Sequence, residues 1–210
     1  MKTIICLSGK RHSGKSTVEN MIKLCFQKPI VSYQMATKLK KVVSALTNCR
    51  IEDLEKSKFK QSEVPLSSFC IQTTDNIKGF TYRELLIEVG RVLRNYNNDI
   101  FINDVTKFIE NTFVENIIIP DVREKHELEE LIKCANMNGY KLYTIRIERP
   151  GFEVNDNISK DRTECDLDDY HEFDMVIIND SDIKALNHKI NKFLLNKGII
   201  ENSYSEQLLF

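Results

Sequence analysis

The six cysteines of this 210-residue chain (Cys6, Cys25, Cys49, Cys70, Cys134, Cys165) are scattered, and no Cys-x-x-Cys pair occurs. A zinc site needs close-spaced Cys or His pairs, so that reading is excluded and reduced thiols in a cytosolic protein are expected. Long apolar runs are missing too. Nothing approaches the ~18 residues of a membrane span. The apolar start Met1–Leu7 is interrupted by Gly9 and Lys10, too soon for a signal peptide. A soluble, cytoplasmic chain with no membrane partner is expected. Charge of one sign is also lacking: 30 basic residues oppose 31 acidic ones, for a formal net charge of −1. That argues against long nucleic acid as a partner, yet a small anionic ligand needs only a local cluster of Arg and Lys. The oligomeric state is not legible, and a homodimer stays open.

What is present is ordinary for a globular chain, with 41% hydrophobic and 29% charged residues. The length fits one large domain, with or without small inserted lids. Thr3–Leu7 reads as a strand, and Val18, Met21, Ile22 and Cys25 repeat at helical spacing until Pro29. Ile30–Gln34 reads as a strand, and Leu39, Val42, Val43 and Leu46 mark a helix face. Residues 50–80 carry little periodicity, although Glu52–Glu63 is compatible with a helix. Thr81-Tyr82-Arg83-Glu84 is a capping box that opens a helix, and a second helix starts after Asp99. Asn116–Ile119 is a strand that Pro120 is expected to stop. Leu128, Leu131, Ile132 and Ala135 form a helical stripe ending near Gly139. Tyr140–Glu148 and Asp174–Ile178 are strands, Ile183–Leu195 is a final helix, and the polar segment Phe152–Tyr170 is expected to be mobile. Strands alternating with helices predict right-handed crossovers and a mostly parallel sheet, with ligands beyond the carboxyl ends of the strands.

Gly9-Lys10-Arg11-His12-Ser13-Gly14-Lys15-Ser16 matches the phosphate-loop pattern G-x-x-x-x-G-K-[ST], between a predicted strand and a predicted helix. The spacing has a chemical reason. Gly9 and Gly14 permit backbone conformations and close approaches that a side chain would obstruct. Successive N–H groups and the positive end of the next helix can then surround a β-phosphate. Lys15 would bridge the β- and γ-phosphates of ATP, and the Ser16 hydroxyl would ligate Mg²⁺. Thr17 is counted with the loop's nucleotide contacts. His12 reads as a variable loop position that contributes backbone. Lys10 and Arg11 either add positive charge beside the phosphates or face solvent.

Asp121-Val122-Arg123 emerges from a strand end, where the phosphates belong. Asp121 can hold Mg²⁺ directly or through water, and Arg123 can grip a phosphate as a fork. The alternative is an Asp–Arg pair that caps the next helix. Lys15, Arg11, Asp121 and Arg123 are the candidate catalytic residues. Arg83 and Arg94, three helical turns apart, can share one face of the Thr81 helix, from which Arg91 is offset. With Lys38 they form the candidate acceptor-binding set. A GTPase is excluded: Asp121-Val122-Arg123-Glu124 lacks the glycine of DxxG, and Asn196-Lys197-Gly198 lacks the aspartate of NKxD.

Taken in order, Ser8–Lys15, Thr81–Leu86 with Gly90 following, Ile119–Arg123, Thr163-Glu164 and Asn179-Asp180 resemble phage- and virus-type deoxynucleoside monophosphate kinases. The resemblance implies a P-loop NTPase three-layer α/β sandwich of the nucleoside monophosphate kinase type. One domain would span 1–198, with an acceptor-binding helical insertion at about 47–115, a lid at about 149–172, and a tail at 199–210. It implies ATP-dependent phosphorylation of a deoxynucleoside monophosphate. Arg83, Arg94 and Arg123 would engage the acceptor phosphate, Asn179-Asp180 would lie near adenine, and Arg149 and Arg162 would flank or lie in the lid. Two departures stand out: Ser16 replaces an aspartate frequent in that group, and Gly90-Arg91-Val92 replaces Gly-Thr-Glu. The chain is also similar to animal-type phosphomevalonate kinases, through the same loop and through Glu164-Cys165-Asp166-Leu167-Asp168 with Phe173-Asp174. A catalytically inactive nucleotide-binding module is the third alternative.

Overall fold

Thr3–Ser8 is the strand β1 at the centre of a parallel sheet, in a computed structural model that describes residues 1–65, 79–151 and 165–201. Ile4, Ile5, Cys6 and Leu7 are all buried, the pattern of a parallel strand covered on both faces. The chain continues through α1 (Lys15–Cys25), β2 (Ile30–Ser32), α2 (Thr37–Thr47), α3 (Ser57–Lys60) and α4 (Tyr82–Tyr96). It then forms α5 (Ile102–Asn111), β3 (Asn116–Val122), α6 (Lys125–Asn138), β4 (Lys141–Glu148), β5 (Met175–Ile178) and α7 (Ile183–Asn196). Among the described residues the sheet has five strands in the order β2-β3-β1-β4-β5, and every neighbouring pair is parallel.

Side chains alternate along each strand, so each face of the sheet receives its own core. On one face Ile5, Leu7, Ile118, Ile145, Ile147 and Ile177 meet Val18 and Ile22 of α1 and Leu186, Ile190 and Leu194 of α7. Ile4, Cys6, Ile117 and Ile119 point the other way, and Leu128, Leu131 and Ala135 of α6 are buried. Each fully buried isoleucine or leucine contributes about 1.5–3 kcal/mol. The parallel sheet with helices on both faces is a three-layer α/β sandwich. No helix among the described residues is long and apolar enough to cross a membrane.

The chain divides into two compact units: Met1–Met35 with the described residues from Val105 onward, and Ala36–Asp104. The second has its own core of Val43, Leu54, Val64 and Tyr82, against which Leu39, Phe59, Phe80, Leu85 and Leu86 pack. Its α4 opens on the expected capping box, with Glu84 N–H donating to Thr81 Oγ1 at 3.2 Å and Thr81 N–H donating to Glu84 Oε2 at 2.7 Å. Buried Lys40 is paired with Glu55 at 2.6 Å.

Two expectations need correction. Glu52–Glu63 is not one helix but a 3₁₀ turn at Asp53–Glu55 followed by the single turn α3. The Asp53 carboxylate draws in Arg50 and Lys56, and Lys56 adopts an extended backbone that breaks the helical path. Nor does Pro120 stop its strand. β3 runs on to Val122, and its pairing with β1 shifts between Cys6↔Ile119 and Ser8↔Val122. The irregularity accommodates a residue without an N–H, and it re-aims the strand's end.

The core makes a prediction about thiol chemistry. Cys25 is 5% exposed and donates to Asn191 Oδ1 at 2.9 Å, and burial pushes its pKa up to about 11. Burial, with Asp174 as a lesser cause, likewise pushes the Cys6 thiol up. Iodoacetamide at mildly alkaline pH should therefore leave both unlabelled in the native protein and label both in urea. Native labelling at the rate of an exposed thiol would contradict the packing. The folded chain keeps these protons while the unfolded chain releases them above the ordinary value of 9.0, so stability should fall as pH rises past that value.

Candidate phosphate-binding site

The turn from β1 into α1 is built on three residues at positive φ. Gly9 sits at φ +152°, where an added Cβ would lie 2.4 Å from the Ile147 carbonyl oxygen and 2.7 Å from Ser13 Oγ. Gly14 sits at φ +105°, where a Cβ would lie 2.6 Å from Asn179 Nδ2. His12, at φ 65°, is one of two non-glycine residues so placed among the described residues, and its side chain is exposed. Histidine tolerates this region better than most residues, so here it is the backbone of His12 that shapes the turn. Ser13 N–H donates to Lys10 O at 3.2 Å, and Asn179 Nδ2 braces the loop by donating to Ser13 O at 2.9 Å. Asn179 is fixed in turn by its own N–H on Glu148 O at 2.7 Å. Ser13 Oγ is buried and has no hydrogen-bond partner among the described residues.

Lys15, Ser16 and Thr17 form the first turn of α1, which has no side-chain cap and no acidic residue. Their N–H groups have no partner within the helix, and the helix dipole adds partial positive charge there. An anion is the natural complement. The Lys15 ammonium turns back onto the loop, donating to Gly9 O and, at 2.7 Å, to Lys10 O. Ser16 is exposed.

Asp121 lies at the irregular end of β3, and its Oδ1 accepts from Met35 N–H at 2.7 Å. Arg123 follows, half-buried, with its N–H donating to Glu127 Oε2 at 2.9 Å. The capping role left open for Asp121 and Arg123 is filled by other residues. Glu124 and Glu127, both buried, form a reciprocal capping box at the start of α6, and Asp166 accepts from Lys125 N–H at 2.7 Å.

A polar cluster beside the loop was not legible beforehand. Arg146 on β4 is only 6% exposed; its Nη1 donates to Ser8 Oγ at 3.0 Å and its Nη2 to Asp168 Oδ1 at 2.7 Å. The other Asp168 oxygen receives Lys10 Nζ at 2.7 Å. The hydrogen bond to Asp168 is the main cause that raises the Lys10 pKa, so the ammonium stays charged. Lys10 is itself exposed, and its ammonium pairs with this carboxylate. One signal could have revealed the cluster. Arg146 stands between Ile145 and Ile147 in a buried strand, and a charge so placed requires a partner.

The structure brings Gly9–Thr17, Asp121, Arg123 and Asn179 into one unit; Lys38, Arg83 and Arg94 belong to the other. Lys38 faces Asp104 at 3.4 Å. Arg83 and Arg94 are half-buried on α4, with the Arg94 guanidinium 4.8 Å from the centre of the Phe101 ring. Arg91 is exposed and paired with Glu88 at 2.8 Å, in keeping with its offset position. Arg149 is exposed just after β4. Most of the lid expected over Phe152–Tyr170, including Arg162, Thr163 and Glu164, lies outside the described residues, as does the tail beyond Glu201.

No protein-family model matches this chain, and no curated protein matches it. Among solved structures it is similar to a shikimate kinase from Aquifex aeolicus, at 15% identity over 93% of this chain and 98% of that one, with a TM-score of 0.47. A gluconokinase from Sinorhizobium meliloti is similar at 13% identity over 97% of both chains, with a TM-score of 0.46. An APS kinase from Mycobacterium tuberculosis in complex with AMPPNP and APS is similar at 8% identity over 92% of this chain and 98% of that one, with a TM-score of 0.45.

Proposed function

We propose that this chain is a kinase that transfers the γ-phosphoryl group of ATP to the phosphate of a deoxynucleoside monophosphate, yielding the diphosphate. The observation that carries the reading is the loop Gly9–Ser16, which opens into a helix end bare of caps and acids. Backbone N–H groups would surround the β-phosphate, and Lys15 would exchange its loop carbonyls for the β- and γ-phosphate oxygens. The Ser16 hydroxyl and the Asp121 carboxylate are hard oxygen donors of the kind that hold Mg²⁺, whose charge would offset that of the phosphates. An acceptor phosphate is already largely ionised near neutral pH, so no strong general base is required. Positioning and charge neutralisation would carry the catalysis.

The resemblance at Thr81–Leu86 favours a nucleotide acceptor, and by that resemblance Arg123 would engage the acceptor phosphate. Arg123→Ala should raise the acceptor KM roughly 10- to 100-fold, as loss of charge-assisted hydrogen bonds predicts, and leave nucleotide affinity nearly unchanged. Unchanged acceptor kinetics would remove Arg123 from that role. The reaction itself is tested by coupled ADP release with Mg²⁺–ATP against every deoxynucleotide and ribonucleotide monophosphate, with phosphomevalonate alongside. ADP formation with a deoxynucleotide supports the reading. Turnover with phosphomevalonate alone reassigns the acceptor, and nucleotide binding without turnover on any acceptor makes the chain a binding module.

A further inference from the structure

Asp168 is shared by two cations of different standing. Arg146 is almost wholly buried, its side chain 8% exposed, and binds Asp168 Oδ1 at 2.7 Å. Lys10 belongs to the phosphate loop, its side chain is 50% exposed, and it binds Asp168 Oδ2 at 2.7 Å. The carboxylate itself is anchored on both sides. Leu167 is 2% exposed, Asp166 accepts from the first N–H of α6, and Asp169 is paired with Lys125 at 2.8 Å. Arg146 also holds Ser8, the last residue of β1 before the loop. A fixed negative charge therefore stands next to a loop whose expected ligand is a polyanion, and it occupies the loop's own lysine.

We propose that Asp168 is a positioning residue for nucleotide binding: anchored by Arg146, it holds the Lys10 ammonium at the edge of the phosphate loop and sets the loop's affinity for triphosphate. The inference rests on the reading of Gly9–Ser16 as an ATP site. An incoming triphosphate competes with Asp168 for Lys10 and is repelled by the same carboxylate. Removing the charge while keeping the shape relieves both effects. Arg146 then loses its counter-charge and adds attraction for an anion.

The test is calorimetric titration of ADP and a non-hydrolysable ATP analogue into wild type, Asp168→Asn, Asp168→Glu, Lys10→Ala and the Asp168→Asn/Lys10→Ala double variant. Asp168→Asn should tighten binding roughly three- to ten-fold, a range fitting a half-exposed ion pair plus carboxylate–phosphate repulsion. Asp168→Glu should stay near wild type and Lys10→Ala should bind more weakly. In the Lys10→Ala background the share of the Asp168→Asn gain that comes from freeing Lys10 should vanish while the share from lost repulsion persists, so the gain shrinks, a coupling that a merely structural role would not produce. Asp168→Ser serves as the neutral variant should the asparagine form not melt cooperatively. Equal or weaker binding by the neutral variant, or an undiminished gain without Lys10, overturns the inference alone. Wild type that binds neither nucleotide overturns the ATP-site reading, and this inference with it.

Discussion

Lys15→Ala is expected to lower phosphoryl transfer by roughly 10²–10³-fold, the usual loss when one preorganised donor to developing charge is removed. Lys15 opens α1, and its ammonium already reaches the loop carbonyls of Gly9 and Lys10. No acidic residue stands in that first turn to compete for it. A γ-phosphate seated in the loop would lie within the same reach. The fold should barely notice the change. The side chain contributes hydrogen bonds to partly exposed carbonyls, so about 1 kcal/mol or less of stability is at stake. Arginine should not restore the rate, because its planar fork cannot replace a compact ammonium between two phosphates. Single-turnover kinetics beside a thermal melt separates the two effects. Wild-type transfer by Lys15→Ala would remove the loop from the chemistry.

Gly9→Ala carries the second large effect, and it acts through the backbone. Its Cβ would sit 2.4 Å from a backbone oxygen, Ile147 O, which belongs to β4, a strand paired on both sides by β1 and β5. A side-chain neighbour could rotate away, but a strand carbonyl cannot without disturbing its ladder. The φ of +152° adds strain for any residue with a Cβ. Overpacking and backbone strain each cost about 1–3 kcal/mol, so a loss of roughly 2–6 kcal/mol is expected, together with nucleotide affinity. Gly14→Ala should be milder in its packing, because the atom it meets is the amide of Asn179, a side chain. Chemical denaturation of the two variants checks the order. Equal stability of Gly9→Ala and wild type would mean that the loop relaxes at no cost.

These effects trace to features of unequal visibility in the sequence. Strand β1, the loop and α1 were legible because a short apolar run, two glycines at fixed spacing and a helical stripe all point the same way. The Thr81–Glu84 box was legible because capping is local chemistry. Residues 52–63 misled, because charged helix formers say little about a segment whose Asp53 pulls in its own neighbours. Pro120 misled for a different reason: proline disfavours a regular ladder, yet here the ladder is irregular, and only the pairing with β1 reveals it. Arg146 and Asp168 were hidden because their pairing spans 22 residues and depends on how β4 meets the turn at Leu167. Long-range pairing of charges has no period to read.

The most direct measurement follows the terminal phosphoryl group of ATP. With γ-labelled ATP, Mg²⁺ and a mixture of deoxynucleoside monophosphates, the label should appear in a deoxynucleoside diphosphate, with ADP formed in equal amount. Label released only as inorganic phosphate, or left on ATP with every acceptor, would contradict phosphoryl transfer between two phosphorylated ligands.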